Sequence, residues 1–153
     1  MANVMFFVAL TSLCCVYALI VGGAPERIAT GIVILACCLT VTVASDYRWV
    51  FRTREVGIFV VDVAMFLAVL ALSLRAERYW PLCMAMLLGL GLLMHLMMWF
   101  GPLHSRQITK IVHAWSAYPS ILLIPIGAFR HRQRVMATGK DKSWSAFSTP
   151  PVA

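Results

Sequence analysis

In the run VGIFVVDVAMFLAVLALSL, residues 56–74, a single side chain, Asp62, can hold a charge or exchange a proton. Two histidines in comparable surroundings can act with it: His95 in GLLMHLMMWF and His113 in IVHAWSAYP. A carboxylate beside an imidazole supports two kinds of chemistry. It can take up and release protons near neutral pH, or it can tie one helix to another by a hydrogen bond. Two imidazoles at one depth also offer axial nitrogens for haem b, and Trp99, Trp115 and Tyr118 supply rings for a pocket that would accept haem or a quinone. Thr40 and Thr42 add hydroxyls that can donate to the carboxylate.

The other reactive side chains do not form a recognisable set. Cysteines stand at 14, 15, 37, 38 and 83, in two adjacent pairs and a single, whereas metal sites use spacings that turn two thiolates to one side. Adjacent residues on a helix point about 100° apart, so these thiols read as small apolar filler, and no metal is expected. The sequence contains no G-x-S-x-G, no H-E-x-x-H and no phosphate-binding glycine loop, so no enzymatic activity is expected.

The elements that must carry these groups follow from composition. Apolar residues make up 61% of the 153 positions and charged residues 12%, half the roughly 25% of a soluble domain. Crossing a hydrocarbon layer about 30 Å thick takes roughly 20 apolar residues. Five runs qualify: 3–21, 28–45, 56–74, 81–100 and 108–129. Lipid offers no partner to backbone N–H and C=O groups, so each run must be helical, and the expected fold is an all-α bundle of five transmembrane helices over residues 1–129. If the first run were removed at the small residues following Val21, four would remain. Residues 130–153 form a basic, flexible tail in this reading, with GGAPER at 22–27, DYRWVFRTRE at 46–55, RAERYWP at 75–81 and GPLHSRQ at 101–107 as connections.

Helix geometry then places the chemistry. Asp62 lies about 4.5 Å from the centre of its run along the axis, where an ionised carboxylate costs about 2.5 to 3.5 kcal/mol unless it is paired. It must therefore face other helices. Antiparallel spans return His95 and His113 to the same half of the membrane, each about 7 to 8 Å from its own centre, with Thr40 and Thr42 alongside. Pro119 and Pro125 are expected to bend the fifth span near Ser116 and Ala117. Ala85, Gly89 and Gly91 remove bulk from the fourth and allow close helix approach.

The net charge of +7 reads as membrane orientation rather than nucleic-acid binding. Eight of the 13 basic residues fall on the side that holds Arg27, Arg75, Arg78 and the tail, so the C-terminus is expected in the cytoplasm, with Arg130, Arg132 and Arg134 at lipid headgroups. The resulting expectation is a multi-pass protein of a bacterial inner membrane. Its partners would be the lipid bilayer and other membrane-protein subunits, as an accessory, assembly or stabilising subunit of a larger complex without a cofactor. The alternatives are a proton-coupled small transporter using Asp62, and a redox subunit binding haem b or quinone through His95 and His113.

Overall fold

The computed structural model describes residues 2–45, 51–100, 105–139, 141 and 144. Within them the chain is all-α, with five helices in order: α1 Ala2–Val21, α2 Ala24–Ser45, α3 Phe51–Arg75, α4 Trp80–Phe100 and α5 Ser105–Thr138. Three segments are long and apolar enough to cross a membrane, Ala24–Val43, Val56–Arg75 and Trp80–Met97, and Met5–Val21 is a shorter apolar helix. The protein is a multi-pass membrane protein.

Helix ends depart from the hydropathy boundaries. α2 starts at Ala24, with Pro25 inside its first turn, where a missing N–H costs nothing and the fixed φ suits a helix. Glu26, assigned from sequence to a turn, is therefore helical and faces the interior with no exposed surface. α5 is 34 residues long and continuous through Pro119 and Pro125. Residues 130–138, assigned from sequence to the tail, are its last turns. At 1.5 Å per residue α5 measures about 51 Å, well beyond the hydrocarbon thickness, so one end must leave the lipid.

The helices close into a ring in which α1 packs on α2 and α5, α2 on α3, α3 on α4, and α4 most extensively on α5, while α2 also reaches α5 across the ring. The core does not run evenly along it. Its buried members are Cys15 and Ala18 on α1, Ala29 and Val33 on α2, Val69 and Leu72 on α3, Trp80, Met84 and Ala85 on α4, and Ile124 and Ala128 on α5. In an antiparallel bundle these all lie toward one end, where α1 finishes, α2 begins, α3 finishes and α4 begins. Gly127 permits a close approach between helices there: a Cβ on it would stand 2.7 Å from Trp80 Nε1, so the indole lies directly on the α5 backbone. Large apolar side chains elsewhere, such as Ile20, Val41 and Met86, point outward, as lipid contact requires.

Candidate functional site

Among the described residues, two groups of ionisable side chains meet inside the bundle, one in each half. In the first, His95 Nε2 stands 2.9 Å from Asp62 Oδ2 and joins α4 to α3. With the carboxylate ionised, Nε2–H is the donor. Phe59 covers the pair, meeting the His95 ring edge-to-face at 5.8 Å and Trp99 at 4.9 Å. The side chains of His95 and Asp62 keep 12% and 29% of their surface, so the pair is enclosed on the helix side and open on the other.

The remaining sequence candidates have other neighbours. Thr40 Oγ1 donates to Ala36 O and Thr42 Oγ1 to Leu39 O, each within α2. His113 belongs to α5, but its side chain lies outside the described residues. The three rings proposed for a pocket diverge: Trp99 turns to α3, Tyr118 packs edge-to-face on Phe7 of α1 at 5.4 Å, and Trp115 is 75% exposed. Ala85 is buried, and a Cβ on Gly89 would meet the Phe66 ring at 3.3 Å, so α3 and α4 come close there. Gly91 is buried as well. Arg130 and Arg132 are exposed on the end of α5.

The second group is more deeply buried, and hydropathy does not reveal it. Glu26 of α2 and Arg78 of the α3–α4 connection form an ion pair, with Arg78 Nη1 donating to Glu26 Oε1 at 2.9 Å and side-chain exposures of 2% and 0%. Trp80 Nε1–H donates to the same oxygen at 3.2 Å. The other arm of the guanidinium, Nη2, donates to Asp141 Oδ2 at 2.6 Å. His131 Nδ1 lies 2.5 Å from that oxygen, and Arg134 Nε forms an ion pair with Asp141 Oδ1 at 3.2 Å. A proton must lie between His131 and Asp141, so Nδ1–H is the donor. The 3.3 Å approach of Arg78 Nη2 to Nδ1 is then two donors sharing one acceptor.

Glu26 gains further from its place in the first turn of α2, where the helix dipole favours an anion. Burial pushes the Asp141 carboxyl up, but the His131 hydrogen bond, the charge and hydrogen bond of Arg78 and the charge of Arg134 outweigh it and hold it below the usual carboxylate range. Among the described residues Glu26 Oε2 and Arg78 Nε have no hydrogen-bond partner. A signal for this network exists in the sequence. The chain has six acidic residues, and Glu26 and Asp141 fall on the membrane side that holds Arg78. Glu77 shares that side, so matching scarce acids to same-side bases narrows the partners to three carboxylates.

Between α1 and α2 an apolar groove of about 660 Å³ opens outward, lined in part by Phe7, Thr11, Cys15, Leu19, Cys37 and Val41. The five cysteines are free, and among the described residues no three His, Cys, Asp or Glu side chains converge as metal ligands would. What the geometry can do chemically is hold helices together by ion pairs at one end and, at the other, present a carboxylate–imidazole pair. Compared with known proteins, the chain matches no family model, no curated sequence and no solved structure.

Proposed function

We propose that this protein is a non-catalytic subunit, embedded in a bacterial inner membrane with all five helices spanning and its C-terminus in the cytoplasm, that assembles with or stabilises other membrane proteins. The observation that carries this is the disposition of polar groups. The most buried charges are tied to each other within the chain, while the outward surface is apolar and includes a groove between α1 and α2 that none of the described residues fills. Small side chains along that groove, Thr11, Ser12, Cys15, Cys37 and Cys38, suit the backbone of a neighbouring apolar helix better than they suit water.

The test is photo-crosslinking in native membranes. A photoreactive residue at Ser12 or Cys38 is expected to give a protein adduct of discrete mass, and one at Leu93 of α4 only lipid adducts. Lipid adducts alone at all three positions would refute a subunit role through this face. A reporter fused after Ala153 that is active outside the cytoplasm would refute the orientation.

A second function has one specific observation in its favour. The Asp62–His95 pair is partly open, and such a pair in a membrane interior suits a proton-coupled carrier. A redox role has weaker support, because His95 Nε2 is already engaged by Asp62, and a strong Soret band in the purified protein would be needed to revive it.

A further inference from the structure

The segment after α5 does not simply leave the bundle. α5 ends at Thr138, and Gly139 then takes a φ of +71°, the left-handed conformation that ends many helices, with its N–H on Val135 O at 2.9 Å. The turn sends the chain back toward the α3–α4 connection. Asp141 enters between Arg78, His131 and Arg134, and its side chain keeps only 8% of its surface. Further on, Trp144 forms an antiparallel backbone bridge with Ala76. Trp144 also walls a recess of about 450 Å³ whose other sides include Ile28, Ala68, Leu72 and Arg75.

From this geometry we infer that Gly139, Asp141 and Trp144 act as a strap closing the polar end of the bundle, with the Asp141 carboxylate as its bolt. Among the described residues, each element facing the bolt supplies charge or orients it. Arg78 comes from the α3–α4 connection, His131 and Arg134 from α5, and Glu26 of α2 acts through Arg78, itself held by Trp80 of α4. Two backbone features and one ion pair therefore fix the strap at three points: the Gly139 turn, the Ala76–Trp144 bridge and the Asp141 contact. When the carboxylate loses its charge, the cations beside it lose their shared acceptor and the strap lifts, removing one wall of the recess. The strap is thus a conformational device whose open and closed forms differ in the charge state of one residue.

The Ala76–Trp144 bridge provides a direct readout. Facing residues of an antiparallel pair have Cα atoms about 4.5 to 5.5 Å apart, within the range a disulfide spans. In a full-length chain whose five cysteines are replaced by alanine, Ala76→Cys with Trp144→Cys is expected to form an intramolecular disulfide promptly under mild oxidation in lipid nanodiscs. Adding Asp141→Asn is expected to slow it about tenfold. Gly139→Val is an independent variant that leaves the buried charges untouched. A Cβ there meets nothing within 4 Å, but a β-branched residue resists a positive φ, so a slowing of about fivefold or more is expected. Should Asp141→Asn fail to fold, Gly139→Val decides the matter. Failure of the parent pair to cross-link, or cross-linking of either folded variant at the parent rate, overturns the strap.

Discussion

Arg78→Met is the most informative single change to the bundle. It removes the cation shared by Glu26 and Asp141 and keeps much of the side-chain bulk. Asp141 retains His131 and Arg134, but Glu26 retains only the Trp80 indole among the described partners, and its side chain has no exposed surface into which to move its charge. At an effective dielectric constant of about 20, opposite charges about 4 Å apart attract by about 4 kcal/mol. Removing one partner of a buried pair costs about 3 to 5 kcal/mol, chiefly because the other is left uncompensated. Both estimates point to a loss of about 4 kcal/mol, or on the order of 10 °C in melting temperature for a chain of this length. Glu26→Gln in the same background removes the stranded charge and keeps an acceptor for Trp80, so the double variant should recover more than half of the loss. The assay is reversible unfolding in mixed detergent micelles for the parent, both single variants and the double. A loss under about 1 kcal/mol for Arg78→Met, or single effects that simply add, would refute the view that the pair is desolvated and coupled.

Three further outcomes follow from the packing and charges. Gly127→Ala should destabilise by about 1 to 3 kcal/mol, because the added Cβ would fall 2.7 Å from Trp80 Nε1; Gly31→Ala, with nothing within 4 Å, should be neutral or slightly stabilising in the same unfolding assay. Asp62→Asn keeps an acceptor for His95 and should fold normally, whereas Asp62→Leu removes the carboxylate that accepts from the imidazole at a cost of about 1 to 3 kcal/mol; an Asn variant that folds but loses a proton-dependent flux would favour a carrier instead. Because the Asp141 carboxyl is held below its ordinary value of about 3.9, the unfolded chain binds its proton more readily. The stabilisation it contributes should therefore be constant above about pH 5 and disappear as pH falls below about 4, and a parent and Asp141→Asn pair whose stability difference does not narrow over that range would contradict this.

How far the molecule is legible from its sequence differs between its two polar groups. The apolar runs stand out because lipid imposes one rule, backbone satisfaction, on every residue that enters it, and composition changes sharply when that rule ends. Counting 1.5 Å steps sets Asp62 and His95 at comparable depths, but whether the two side chains turn toward each other depends on helix rotation, which runs apolar on every side do not encode. Glu26 and Arg78 are harder to see. Hydropathy marks both as belonging to connections, and Pro25 reads equally well as a turn or as a helix start. Only the packing of Trp80 onto Gly127, with the first turn of α2 drawn in beside it, converts two loop charges into an interior pair. His131, Arg134 and Asp141 depend further on α5 outlasting its apolar stretch, which charge-rich helical turns conceal.

The sequence separation of the buried ion pair bears on how the chain is made. Glu26 is translated 52 residues before Arg78, and Asp141 follows Arg78 by 63. As α1, α2 and α3 enter the bilayer the carboxylate at the head of α2 has no guanidinium to meet, so this end of the nascent protein must stay near the interface, hydrated or protonated. Emergence of the α3–α4 connection allows it to withdraw, and emergence of Asp141 supplies the last charge. Maturation of this end is consequently timed by elongation. Chains arrested before Arg78 should remain open to membrane quality-control proteases, and resistance should rise in two steps as first Arg78 and then Asp141 clear the ribosome.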